Sequence, residues 1–317
     1  MVSPFRLSWA AAIRPRRPVS VPGPRRKHAA LTCLTTALLL PLGVAASPNA
    51  WASSPTMVGG WSNDQAWFNA NIGKLEIYRA YSPGFKSSWS QTGYASRPGL
   101  VDYSFDMSPS QVAGASSQIK AFVATTPKNL IISFDHEPEV TYSASSFRAA
   151  TRTVANIVHA QNRADGGARR VEVILMGYTF RSNSGRNPSD WWPGRDAQGK
   201  NYADIISEDV YSDPQGPNTL KGYTNGVNWR TSAQLFDPVI NFAKSVGARW
   251  SVSELGFLED STDATHKARA IKDAVSYAEA HNAVAVEYWD SIGRRGDWRL
   301  RHSTAATTAF RQAVQAG

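Results

Sequence analysis

The sequence predicts an α/β chain folded as one (β/α)8 TIM barrel, and three observations carry that prediction. Eight short apolar segments succeed one another between residues 57 and 290, most of them near-continuous rather than alternating, as parallel strands covered on both faces read. Helical periodicity fills many of the intervals between them. Two of the segments, NLIISFDHEPE (Asn129–Glu139) and RWSVSELG (Arg249–Gly256), end abruptly in carboxylates. The C-terminal ends of strands are where barrels of this kind carry their chemistry.

The segments are Met57–Gly60, Leu75–Tyr81, Leu100–Asp106, Leu130–Asp135, Val171–Tyr178, Ala203–Val210, Trp250–Glu254 and Ala283–Asp290. Between the third and fourth, Ser108-Pro109 supplies a cap and a first-turn proline, opening an amphipathic stretch that stops before Pro127. After the fourth, Phe147, Ala150, Val154, Ile157 and Val158 recur at helical spacing. After the sixth, Leu235, Phe236, Val239, Ile240 and Ala243 repeat the pattern and Gly247 gives a stop. Helices over Ala264–Ala280 and Thr304–Ala316 follow the last two strands. The intervals 82–99 and 179–202 lack this periodicity and are rich in Gly, Ser, Pro, Asn and Trp. They read as long loops on the catalytic face, walling a groove.

The first 52 of the 317 residues read as a signal peptide rather than as fold. Arg14, Arg16, Arg17, Arg25, Arg26 and Lys27 form a basic region, 29–44 is apolar, and Ala50-Trp51-Ala52 is a small-x-small cleavage site. The apolar core is short for a membrane span. Export is expected, by the general secretory or the twin-arginine route, giving a secreted protein with no stable membrane association. The leader holds 7 of the 34 Lys and Arg and none of the 25 Asp and Glu, which leaves 27 cations against 25 anions, a net of +2. That removes the electrostatic basis for a nucleic-acid partner. Cys33, the single cysteine, also lies in the leader, so no disulfide or thiol chemistry is expected in the mature chain. Residues 53–317 contain no linker, repeat or low-complexity tract and read as one catalytic domain, expected to be a monomer.

Retaining glycosidases use one carboxyl group to protonate the leaving oxygen and another to attack the anomeric carbon. The fourth and seventh strands of a barrel face each other across its mouth, so Glu137 and Glu254 suit that pair, with Glu139 a competitor for the first role on the same face. A strand tip offering Asp135, His136, Glu137 and Glu139 is costly to build for stability alone. His136, beside the acid, is expected to bond substrate or orient a carboxylate. Five histidines remain after the leader, none at a tight ligand spacing from another, so neither a metal nor any other cofactor is expected. Arg79 at the end of the second strand either holds a nucleophile ionised from inside the mouth or is an outward surface arginine. Asp106 at the tip of the third either bonds sugar hydroxyls or caps the following helix. Trp289 ends the eighth strand, where an indole can stack on a pyranose face; Trp191 and Trp192 are candidates by the same physics, then Trp61 and Trp298.

On these residues the chain resembles the clan A glycoside hydrolases, and among them glycoside hydrolase family 26. The resemblance rests on His136-Glu137 and Glu254, on Trp192-Pro193-Gly194 with Tyr202-Ala203-Asp204-Ile205-Ile206, on Asp209-Val210-Tyr211, and on Asp297-Trp298-Arg299-Leu300. It spans nearly all of 55–317 and lies in order and spacing. It implies that Glu137 is the acid/base, Glu254 the nucleophile, and Tyr211 a hydrogen-bond donor to that nucleophile. One departure matters: the fourth strand ends His-Glu-Pro-Glu where family mannanases are expected to read His-Glu-Met-Asn, which puts mannan in doubt and leaves the pair intact.

The expected activity is that of a secreted, retaining endo-β-glycanase whose partner is a polysaccharide or oligosaccharide: mannan, mixed-linkage glucan or xylan. Two rivals stand beside it. A non-catalytic carbohydrate-binding barrel keeps the tryptophans and tolerates loss of a carboxylate, and another clan A hydrolase, acting on a microbial wall or capsule glycan, shares the same catalytic pair.

Overall fold

The computed structural model describes residues 55–182, 184–212, 230–293 and 296–316. Eight parallel strands close into a barrel in sequence order: β1 (Met57–Ser62), β2 (Ile77–Ser82), β3 (Leu100–Phe105), β4 (Ile131–His136), β5 (Arg170–Met176), β6 (Ile205–Ser212), β7 (Arg249–Phe257) and β8 (Ala285–Asp290). Closure is made by β1 on β8, in register from Met57 opposite Ala285 to Ser62 opposite Asp290. All eight overlap the predicted segments. The expected signal peptide (residues 1–52) and residues 213–229 lie outside the described residues.

The helices are α1 (Gln65–Asn71), α2 (Pro109–Gly114), α3 (Ser116–Ala124), α4 (Ala144–Asp165), α5 (Ser232–Val246), α6 (His266–Ala280) and α7 (Thr304–Ala316). Ser108 caps α2 through a reciprocal box with Gln111 and Pro109 opens its first turn, as the sequence predicts. The stretch that follows is two helices, because the backbone breaks at Ala115 (φ −99°, ψ 12°). Gly247 stops α5 in the left-handed conformation (φ 69°). The intervals after β2 and β5 hold only short 3-10 turns among their described residues, at Trp89–Gln91, Gly177–Phe180 and Pro188–Asp190, and are loops as expected.

Two strand ends differ from the prediction with consequences for the site. β6 continues to Ser212 and β7 to Phe257, because Tyr211 pairs with Gly256 and Ser212 with Phe257. Glu254 therefore projects from within a strand rather than from a flexible tip.

The barrel interior changes character along its axis. Ile77, Ile131, Ile205, Val284 and Ala285 form an apolar cluster at the N-terminal end, backed by Met57 and Leu100. The period-two step of each strand then places charge above it: Arg79 follows Ile77, Asp102 follows Leu100, and Glu287 follows Ala285. Barrels are ordinarily filled by branched aliphatic side chains at this level. Here Arg79, Asp102, Glu172, Asp209 and Glu287 are all at most 2% exposed. Gly59 makes room on the β1 side, since a Cβ there would lie 1.8 Å from the Ile77 carbonyl oxygen.

Glu208 alternates with the inward Asp209 and faces the outer layer, with Oε2 2.9 Å from where a Cβ on Gly177 would sit. Neither of its carboxylate oxygens has a hydrogen-bond partner among the described residues. Burial pushes its pKa up to about 8, against the pull of Arg181 and Arg230. Asp135 and Glu139 are each pushed up to about 7, also by burial first. A folded-state pKa above the unfolded one means that the native state holds protons the unfolded chain releases. The resulting stabilisation is complete below about pH 4 and is lost as pH rises through 7 to 8. Glu208→Gln is therefore expected to flatten the fall in urea midpoint between pH 6 and pH 9. An unchanged slope would show that Glu208 does not carry it.

Candidate active site

Glu254 is 7% exposed and held at both oxygens. The Tyr81 hydroxyl donates to Oε1 at 2.6 Å, and the Tyr211 hydroxyl donates to Oε2. The two tyrosines come from β2 and β6, so the carboxylate is clamped across the barrel rather than by its own neighbourhood. Arg79, on the same face of β2 as Tyr81, places its guanidinium 4.7 Å from the Tyr81 ring centroid and its Nη1 3.1 Å from Asp102 Oδ2. Of the two readings of Arg79, the inward one holds: the residue is 2% exposed. Burial raises the Glu254 pKa, and Arg79, Tyr211 and Tyr81 oppose it in that order.

One guanidinium thus faces several acids. Asp209, Glu172 and Glu287 are pushed well up, chiefly by burial and then by neighbouring negative charge. Asp209 lies opposite Glu254 in the strand register and is acted on by the charges of both Glu254 and Glu137. Burial thus favours the neutral form of these three, whereas Glu254 has two hydroxyl donors that favour its ionised form.

Glu137 follows β4 with left-handed backbone (φ 50°), half-buried, its N–H donated to the Ile174 carbonyl at 3.2 Å. Asp135 is also left-handed (φ 49°), and the pairing of β4 with β5 shifts register between Ser133 and His136. Such conformations are uncommon outside glycine and are held here by the pairing on β5. Glu139, the competitor for the acid role, is turned away from it: its Oε1 accepts from Met176 N at 3.0 Å and Thr179 Oγ1 at 2.6 Å, anchoring the turn.

His136 puts Nδ1 3.3 Å from Ser104 Oγ and its ring edge-on to Tyr81, centroids 5.2 Å apart. Burial first and Arg79 second push its pKa down to about 3. The imidazole is therefore neutral at the working pH of most enzymes. Its carbon-bound proton NMR signals are expected to show no titration between pH 5 and pH 8, while a midpoint near 6.5 would place His136 in water.

Aromatic rings line the mouth on one side. Trp61 stacks on Trp289 at 6.0 Å and 20° and meets Tyr81 edge-on at 5.6 Å, and Trp289 meets Tyr211 edge-on at 5.9 Å. Trp61 and Trp289 are half-buried, leaving ring surface available. Glu254, Tyr81, Tyr211, Arg79, His136 and Trp289 are thus linked by contacts around one opening.

Three candidate residues do not join them. Trp192 is 7% exposed and packs edge-on against Phe242 of α5 at 6.2 Å, and Trp191 packs on Phe147 of α4 at 5.9 Å. Both indoles fill the space between the β5–β6 loop and the helices, because that loop has no apolar segment of its own to cover them. Asp106 stands exposed at the β3 rim beside Asp135, whose pKa its charge raises, and it does not cap α2, since Ser108 does. Tyr81, Asp102 and Asp209 were not singled out by sequence. The signal was present for two of them: Tyr81 is two residues beyond Arg79, and Asp209 two before Tyr211, so each shares its neighbour's inward face. Among the described residues no group of three or more His, Cys, Asp or Glu is placed to hold a metal ion, and no helix is long and apolar enough to cross a membrane.

No family model and no curated protein matches the chain. Solved structures do. The catalytic domain of the GH26 endo-β-1,4-mannanase of Bacillus sp. JAMB-750 matches with a TM-score of 0.52 at 13% identity, over 82% of this chain and 86% of that one. XacCel5A matches with a TM-score of 0.52 at 10% identity, over 82% and 99%. A GH128 (subgroup I) endo-β-1,3-glucanase of Amycolatopsis mediterranei, in complex with laminaripentaose, matches at 0.50 and 12% identity, over 81% and 98%. At these identities the likeness is one of fold.

Proposed function

We propose that this chain is a retaining endo-β-glycanase, exported by its N-terminal leader, that hydrolyses a β-linked polysaccharide at the C-terminal mouth of the barrel. The observation that carries the reading is the double clamp on Glu254. A carboxylate whose two oxygens are aimed by Tyr81 and Tyr211, at the edge of an aromatic-walled opening, is suited to attack an electrophilic carbon along one line. Glu137, on the facing strand end, is the proton donor. In the first step a Glu254 oxygen forms a bond to the anomeric carbon while the glycosidic C–O bond breaks and the Glu137 proton passes to the leaving oxygen. In the second, Glu137 takes a proton from water, the water oxygen bonds the anomeric carbon, and the bond to Glu254 breaks. Neutral His136 has a ring nitrogen to offer a sugar hydroxyl, and the Trp61–Trp289 pair offers a stacking surface. No cofactor enters these steps, and a monomer suffices for them.

The fold neighbours support a glycan substrate: they include a mannanase, a β-1,3-glucanase and a xylanase. The polymer is proposed among mannan, mixed-linkage glucan and xylan, with β-1,3-glucan added by the GH128 neighbour. The deciding experiment is reducing-sugar release from mannan, galactomannan, lichenan, xylan and laminarin by residues 53–317. It is paired with proton NMR of the first-formed anomer. Activity on one polymer with retained configuration is expected; inversion, or silence on every polymer, would sink the reading.

A further inference from the structure

Nothing in the proposed reaction calls on the segment Asp297–Leu300 that follows β8, yet it is tied down from several sides. Trp298 N–H donates to the Ser291 carbonyl at 3.0 Å, and its own carbonyl accepts from Tyr288 Oη at 2.8 Å and Lys267 Nζ at 3.3 Å. Lys267 Nζ also donates to the Arg299 carbonyl at 2.9 Å and pairs with Glu259 Oε1 at 2.9 Å. Leu300 N–H donates to Asp290 Oδ1 at 2.6 Å. Lys267 is fully buried. Burying an ammonium is costly, and a surface turn could be closed without one. These bonds fix the backbone from which the Trp298 indole projects.

That indole is 3% exposed and lies against the Tyr211 ring, centroids 4.9 Å apart. Trp289 meets the same ring edge-on. Gly256 closes another side: a Cβ there would sit 2.4 Å from Tyr211 Cδ1 and 3.2 Å from Trp298 Cε3. The phenol of Tyr211 is thereby boxed by Trp298, Trp289 and Gly256, with its hydroxyl on Glu254.

We propose that Trp298, held by the buried Lys267, is a positioning residue that fixes the Tyr211 ring so that its hydroxyl stays on Glu254. Its catalytic meaning rests on the glycanase reading; its physical content does not. Removing the wedge frees the phenol, the carboxylate loses a charge-assisted donor, and its protonated form is favoured.

The test follows the Glu254 carboxyl carbon by NMR through a pH titration, without substrate, in wild type, Tyr211→Phe, Trp298→Leu and the double variant. Each substitution leaves Arg79, Asp102, Asp209, Tyr81 and Glu137 in place, so the other groups acting on Glu254 are common to all four. Tyr211→Phe and Trp298→Leu are each expected to raise the Glu254 pKa by about 1, and the double variant no further than Tyr211→Phe alone. Gly256→Ala, whose Cβ would crowd the Tyr211 ring at 2.4 Å, is expected to give the same rise and serves where Trp298→Leu does not fold. An unchanged pKa in the folded variants, or a second full rise in the double variant, overturns the proposal. On an active polymer, Trp298→Leu is expected to lower kcat about tenfold with KM within twofold. If no polymer is cleaved but the pKa coupling is found, the positioning role stands and the glycanase reading falls.

Discussion

Glu254→Ala is expected to lower kcat/KM on the preferred polymer by at least about 10³-fold, with the fold and glycan binding retained. The size follows from what Glu254 supplies. In the proposed reaction it is the nucleophile of one step and the leaving group of the next, so no neighbouring group replaces it without moving: burial favours the neutral form of Asp209, and Asp102 is engaged by Arg79. Glu137→Ala should cost a comparable factor on a polymer, whose leaving oxygen needs a proton, and far less on an aryl glycoside with an acidic phenol. Azide separates the two roles. In Glu254→Ala it occupies the vacated space and attacks once, giving an inverted glycosyl azide. In Glu137→Ala it attacks the glycosyl-enzyme, giving a retained one. Chromatography and proton NMR of the azide products read this directly; the same anomer from both variants would reject the assignment of roles.

Arg79→Met is expected to destabilise the barrel by about 3–5 kcal/mol at pH 8, because it removes the cation from a buried set of acids and leaves Asp102 without its ion-pair partner. The loss should depend on pH in a known sense. Arg79 lowers the pKa of Glu172, Asp209, Glu254 and Glu287, so its removal raises all four. Groups with raised folded-state pKa values contribute stability at low pH that is lost as pH rises. Urea unfolding should accordingly show a smaller loss at pH 5 than at pH 8. An equal loss at both would mean that methionine cost packing rather than charge balance. Whatever activity remains is expected to have its acid limb displaced upward, since Glu254 loses the strongest influence keeping it ionised.

The strand order was legible because burial on both faces writes a local signature, and each of the eight apolar segments was long enough to carry it. The catalytic candidates were legible for the complementary reason: Asp135, His136, Glu137 and Glu254 have no apolar explanation where they occur. The tryptophans were less so. Trp289 sits on a strand whose period fixes its direction, and it reaches the mouth. Trp192 sits in a loop, whose path follows no period, and it packs on Phe242 instead. Asp106 was ambiguous because it falls where the chain leaves the sheet, and the choice of Ser108 as cap is made two residues later.

Sequence by itself determined the barrel class, the succession of its strands, the near-neutral charge of residues 53–317, and the choice of Glu137 and Glu254 as candidates. These depend on local burial and composition, which the order of residues states directly. Only the tertiary structure decided which groups meet. Closing the barrel brings Tyr81 to Glu254 across 173 residues, and Tyr211 to the same carboxylate across 43. It also turns Arg79 inward among acids that no spacing connects to it. Such contacts depend on strand tilt and register around a closed ring, properties of the whole sheet that no single segment contains.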